Sequence, residues 1–234
     1  MIIEEQRGVD ERTLLETFED DVDGAPWMVV SDAHARAVTA ILDAIRYYKH
    51  RERLDWYVSS ELAVAYRRPS GRNGQVAPDV LVAFVEDRLR DSFKVAREGV
   101  FPQFVVEVVS RESRTRDPGR KAQLYGLLGA EEYAIFDPAG LLDRPLQGYR
   151  RGPHARWEQW PLGGRGELVS AVLGLTLLPD GDLLRLRDPG GVLLPTGEEI
   201  VAALAAAQAR AEAAEAEVAR LRARLGNGQA TTEG

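Results

Sequence analysis

The chain predicts a mixed α/β domain with a central sheet flanked by helices, and three stretches carry that prediction. "FVVEVVS" (Phe104 to Ser110) is β-branched, apolar on both alternating faces and too short for a helix, so it is expected to be a central strand covered on both sides. "SDAHARAVTAILDAIRYYKHR" places Ala37, Val38, Ile41, Leu42 and Ile45 at helical spacing behind the candidate caps Ser31 and Asp32. "RDPGRKAQLYGLLGA" predicts a helix that begins near Asp117 or Pro118 and closes around Gly129, before a further strand in "EEYAIFDPAG".

The remaining elements fall into order around these three. "WYVSSELAVAYRR" alternates like one half-buried strand, "RPSGRNGQ" is rich in turn residues, and "PDVLVAFV" is a strand opened by Pro78. The order is helix, strand, strand, strand, helix, strand: an α-β-β-β-α-β core. Beyond it, Gly and Pro cut residues 149–180 into short runs that predict one or two closing hairpin strands. In the tail, Ile200, Leu204, Ala207, Ala211, Ala214, Val218, Leu221 and Leu225 follow spacings of four and three, the seam of a coiled coil. The expected organisation is an acidic segment at 1–23, one α/β domain at 24–195, a coiled-coil helix at 196–225 and a disordered tail at 226–234.

Composition narrows the function classes. With 234 residues and 44% apolar content, the chain can bury one sizeable core. The acidic start lacks the basic and apolar regions of a signal peptide, and no stretch reaches the roughly 18 to 20 apolar residues of a membrane span, so a cytoplasmic protein is expected. There is no cysteine, which excludes disulfides, thiolate zinc sites and a cysteine nucleophile and favours hard cations bound by oxygen. The net charge of −7 is unevenly spread: residues 1–23 hold nine acids and two arginines, 196–234 hold six acids and four arginines, and the middle is left at +2. Arg111, Arg114, Arg116, Arg120 and Lys121 follow the Glu107 strand closely, either as a solvated face or as a polyanion contact.

Glu107 poses the central chemical question, because a lone ionised carboxylate in an apolar strand costs several kcal/mol unless it is protonated, paired or bound to a cation. Pro78-Asp79 sets a second carboxylate at the start of the preceding strand, and neighbouring strands lie roughly 4.8 Å apart. Two such groups on one face suit Mg²⁺, which takes one or two carboxylates, a carbonyl and waters. Lys121, in the first turns of the following helix, can bring an ammonium to the same strand ends. Glu61, on the strand before, is a possible additional acid.

The combination of "APDVLVAF", "FVVEVVS" and "RTRDPGRKAQLYGLLGAEEYAIFDP" resembles the Uma-two family, a branch of the PD-(D/E)XK nuclease superfamily, over roughly Ser31 to Pro138. The resemblance implies a restriction-endonuclease-like core and makes Asp79 and Glu107 metal ligands, with the backbone carbonyl of Val108 a further one. It makes Lys121 the catalytic lysine, displaced to the helix because the position two after the acid is Val109. The implied activity is Mg²⁺- or Mn²⁺-dependent hydrolysis of DNA phosphodiesters, with Lys121 assisting the attacking water. From their charge Arg111, Arg114, Arg116 and Arg120 are expected on the nucleic acid, and a homodimer is expected because duplex DNA presents two strands that a two-fold pair of sites can address. The alternative is a catalytically silent nuclease fold serving as a nucleic-acid-binding or regulatory oligomeric module. His34 and Tyr125 are read as structural, and Glu132 and Asp137 as strand-edge and turn residues.

Overall fold

The computed structural model describes residues 10–18, 31–110, 118–152 and 157–229, and the chain divides into two compact units, Met1–Leu194 and Pro195–Gly234. The first unit begins with α1 (Glu11–Thr17), α2 (Asp32–Glu52), β1 (Tyr57–Ser59), β2 (Val64–Arg67), β3 (Asn73–Val76), β4 (Val80–Ala83), β5 (Phe93–Lys94) and α3 (Val95–Glu98). It continues with β6 (Phe104–Val108), α4 (Pro118–Leu128), β7 (Glu132–Phe136), β8 (Leu146–Arg151), β9 (Trp157–Gln159), β10 (Leu168–Val169), β11 (Thr176–Asp180) and β12 (Leu183–Arg187). The second unit carries α5 (Gly197–Gln229). Among the described residues no helix is long and apolar enough to cross a membrane.

A six-stranded sheet in the order β1-β4-β6-β7-β8-β9 forms the centre. β6 and β7 are parallel and the other neighbours antiparallel, so the sheet is mixed, with α4 in the crossover that a parallel pair requires. Strand alternation assigns the two cores. Phe104, Val106 and Val108 pack with Ala37, Ile41 and Ile45 of α2, and with the three-stranded sheet β10-β11-β12. Val105 and Val109 pack on the other side with Leu124 and Tyr125 of α4, and with the small sheet β3-β2-β5. The β-branched run is therefore buried on both faces because helices and small sheets cover both.

The helices follow their sequence signals closely. Ser31 Oγ accepts the His34 N–H at 3.3 Å, satisfying one of the first-turn donors of α2. Gly129 takes φ 114 after α4, where its N–H and that of Ala130 close on the Tyr125 carbonyl. α5 runs four residues past the expected boundary at 225. α1 escapes the sequence pattern: seven residues are too few for periodicity to declare, yet Leu14 and Phe18 are buried in the core on the α4 side.

One strand assignment is corrected. "WYVSSELAVAYRR" does not form a single strand; it breaks between Ser59 and Val64, and β1 and β2 join different sheets. The break is made at Glu61, which takes the left-handed φ of 51 and donates its N–H to the carbonyls of Pro78 (3.1 Å) and Asp79 (3.3 Å). Glu61 is thus in a bend and not on a strand. "RPSGRNGQ" also contributes more than a turn, since Asn73–Val76 returns as β3 alongside β2.

Candidate functional site

Strand pairing brings the two acids together. β4 and β6 run antiparallel with Val80 opposite Val106, so the residue just before β4, Asp79, comes opposite Glu107. Parity agrees: Leu81 and Ala83, like Val105 and Val109, face the α4 side, and Asp79 and Glu107 continue those two rows. Asp79 Oδ2 accepts the Val108 N–H at 2.6 Å, so a carboxylate extends the β4–β6 ladder past its last backbone bond. Such a charge-assisted bond contributes about 1.5–3 kcal/mol and fixes the carboxylate against β6.

Glu107 meets α4. Its Oε1 accepts from Lys121 Nζ at 3.0 Å and from Tyr125 Oη at 2.6 Å. Residues four apart share one helix face, which is why both donors reach a single oxygen. The Lys121 and Glu107 side chains retain 12% and 13% of their exposure, so the pair sits at the rim of the core with one side open to water. Tyr125 is fully buried, edge-on to Tyr133 at 5.1 Å and tilted against Phe101 at 5.8 Å, and this packing fixes where its hydroxyl lies.

A histidine completes the cluster from the other side of the sheet end. His34 is buried, and its Nε2 lies 3.2 Å from Asp79 Oδ2. That hydrogen bond to Asp79 raises the imidazole pKa above its usual value; burial opposes the rise, and the charges of Asp79, Glu61 and Glu107 add to it. His34 Nδ1 is buried without a hydrogen-bond partner among the described residues. Glu61 adjoins the cluster through its backbone, whose N–H bonds the Asp79 carbonyl at 3.3 Å, and its side chain is exposed.

The residues that the sequence singles out as a site, Asp79, Glu107 and Lys121, are therefore adjacent, and Val108 joins them through its N–H. Arg120 is exposed, with Nη2 3.4 Å from the Thr17 carbonyl and hydroxyl oxygens and its guanidinium 5.7 Å from the Phe18 ring. Arg111, Arg114 and Arg116 lie outside the described residues. His34 and Tyr125, structural residues on the sequence reading, both bond directly to the acids. Each carries a signal: His34 falls three and four before Ala37 and Val38, inside the apolar stripe of its helix, and Tyr125 follows Lys121 by one helical turn.

Among the described residues no group of three or more His, Asp or Glu side chains forms a cation cage. The donor chemistry nevertheless fits a hard divalent ion that keeps most of its waters, because two carboxylates from neighbouring strands are what such an ion takes from protein. Among the described residues both side-chain contacts of Asp79 use Oδ2, so Oδ1 is the oxygen it has to offer.

Comparison with known proteins adds the lineage. No curated protein matches the chain. One solved structure, a "putative nuclease belonging to DUF820" from Anabaena variabilis, is similar at a TM-score of 0.45 and 14% identity, over 61% of this chain and 74% of that one. The sequence pattern of the Uma2 family, described as "Putative restriction endonuclease", matches residues 14–180, a span that holds both acids, Lys121 and the whole six-stranded sheet. The chain belongs to the Uma2 family.

Proposed function

We propose that this chain is a metal-dependent DNA endonuclease whose site is Asp79, Glu107 and Lys121, positioned by His34 and Tyr125. The observation that carries the reading is the convergence at one sheet end of two carboxylates from adjacent strands and a lysine from the next helix, which bonds one of them at 3.0 Å. A divalent ion such as Mg²⁺ or Mn²⁺ held by Asp79 and Glu107, with the Val108 carbonyl beside them, would supply charge neutralisation at the scissile phosphate.

The chain's own groups do the remaining work. Lys121 presents an ammonium beside Glu107, where it orients an attacking water or offsets the charge growing on phosphate oxygens. Tyr125 donates to Glu107 and keeps its carboxylate in one rotamer, while His34 and the Val108 N–H do the same for Asp79. The family's description as restriction endonucleases supports a nucleic-acid substrate.

A second reading has its own observation. Lys121 and Tyr125 already satisfy Glu107 Oε1, so its charge is offset within the protein, as a catalytically silent binding module would need. A plasmid-cleavage assay with Mg²⁺, Mn²⁺ or EDTA separates the two. Wild type is expected to cut only with the divalent ion, and Glu107→Ala not at all; DNA bound by the wild type but left intact under every condition would establish the silent module.

A further inference from the structure

On the edge of the central sheet lies a cleft of about 1250 Å³ whose charge nothing in the catalytic reading uses. Five lysine and arginine side chains line it (Arg46, Lys49, Arg53, Arg88 and Arg90) against two aspartates, Asp55 and Asp87. Its floor is β1, the edge strand of the six-stranded sheet. Basic residues in the last turn of a helix complement its dipole, which accounts for Lys49 and His50 on α2. It does not account for Arg46, one turn earlier, or for Arg88 and Arg90 on the opposite wall.

That opposite wall is built. Arg90 has only 2% of its side chain exposed, bonds both oxygens of Glu98 and lies over the Tyr57 ring at 4.2 Å. Arg88 bonds the same Glu98 at 2.7 Å and lies 3.7 Å from Glu86 Oε2, so two carboxylates hold the two guanidinium groups in place. Between them Leu89 is wholly exposed. Two anchored arginines thus present an apolar side chain at the lip of a cationic cleft. On the facing side, Lys49 pairs with Asp87, whereas Arg46, His50 and Arg53 are exposed and make no ion pair among the described residues. Arg46 and Arg53 are seven residues apart, roughly 10 Å along α2.

We propose that this cleft is a second nucleic-acid contact, a backbone-binding exosite for the part of the substrate that flanks the scissile phosphate. Exposed cations spaced along a groove are the chemistry that recognises successive phosphates, and an exposed leucine between two arginines offers a surface to sugar or base edges. The inference rests on the nuclease reading for its substrate class but not for its test. α2 links the two places: His34 at its start touches Asp79, and Arg46 to Arg53 follow 12 to 19 residues later, about 18–28 Å along the axis. Duplex DNA rises about 3.4 Å per base pair, so an 8-base-pair duplex centred on the acids reaches about 14 Å and stops short, whereas a 24-base-pair duplex reaches about 41 Å and spans both.

The experiment measures binding of fluorescent hairpin-capped duplexes of 8 and 24 base pairs in EDTA across a salt series, using full-length protein with and without Arg46→Glu/Arg53→Glu. The double variant is expected to bind the long duplex at least tenfold more weakly and the short one within twofold of wild type. Its salt dependence on the long duplex should be about 1.8 log units shallower, because two phosphates are no longer neutralised, at roughly 0.9 each. Arg46→Ala/Arg53→Gly serves if charge reversal harms folding, because Arg53 has φ 56 and glycine suits that backbone. Equal affinity and equal salt slope of wild type and variant on the long duplex would overturn the exosite and leave the cleft for a ligand other than nucleic acid. A wild type that binds with the expected length dependence but never cuts plasmid with Mg²⁺ or Mn²⁺ overturns the nuclease reading and keeps the exosite.

Discussion

On the proposed reading the chemistry turns on Glu107, and substituting it separates cleavage from binding. Glu107→Gln keeps the side chain's size and removes its charge, so cleavage should vanish while DNA affinity holds or rises slightly; turnover at the wild-type rate would make Glu107 a structural residue. Lys121→Ala removes the ammonium 3.0 Å away and should lower turnover about 100-fold or more in the same assay. Tyr125→Phe deletes a buried donor to a carboxylate and leaves its ring in place, and urea unfolding should show a loss of about 1.5–3 kcal/mol. Asp79, Glu107 and Lys121 are legible in the sequence because a carboxylate inside an apolar run demands a partner. His34 and Tyr125 are obscure there because spacing places a side chain on a helix face and does not say what stands opposite. Only the fold puts His34 at the start of β4 and the Tyr125 hydroxyl on Glu107.

Among the elements, those with a strong period are legible and those made by one residue's backbone are not. α2, β4, β6, α4 and β7 follow from apolar patterning, whereas the break between β1 and β2 depends on Glu61 adopting φ 51, which no pattern announces. A left-handed non-glycine residue costs about 1–2 kcal/mol, so Glu61→Gly should raise the urea midpoint. If the Glu61 carboxylate serves the site, the same variant should cut more slowly, trading activity for stability. Glu132 shows a second kind of invisibility. A strand-edge residue on the sequence reading, it is buried at the start of β7 and accepts from Ser170 Oγ and, at 2.8 Å, from the Ala171 N–H, tying the central sheet to the segment after β10. Burial raises its pKa above the ordinary 4.5 against these bonds. The folded state therefore holds this proton more tightly than the unfolded chain. The contribution is most favourable below pH 4.5 and is lost as pH rises through the elevated folded pKa. Relative to wild type, Glu132→Gln should gain stability as pH rises from 4.5 to 7, as measured by thermal melts across that range. A constant difference would mean that Glu132 does not titrate there.

At the scale of the molecule, the outstanding feature is α5, a 33-residue helix about 50 Å long whose residues from Glu198 to Ala223 are all exposed. Its apolar positions are not scattered: Ile200, Leu204, Val218 and Leu221 keep 37%, 61%, 46% and 47% of their exposure along one heptad seam, with Ala207, Ala211 and Ala214 between them. A lone helix gains nothing from such a seam, since an apolar row in water is stabilised only when another surface covers it. The alanines in the middle bury little area but permit close approach, so the larger residues at both ends must supply most of the association energy. A second copy of α5 presents the same row, and duplex DNA offers two strands on which a two-fold pair of sites can act. The full chain is therefore expected to sediment as a homodimer at micromolar concentration. Leu204→Glu/Leu221→Glu places a charge at each end of the seam and should give monomers whose far-ultraviolet spectrum and unfolding midpoint match the wild type. Sedimentation of wild type as a monomer throughout the micromolar range would remove α5 from the assembly and leave its apolar seam without a function.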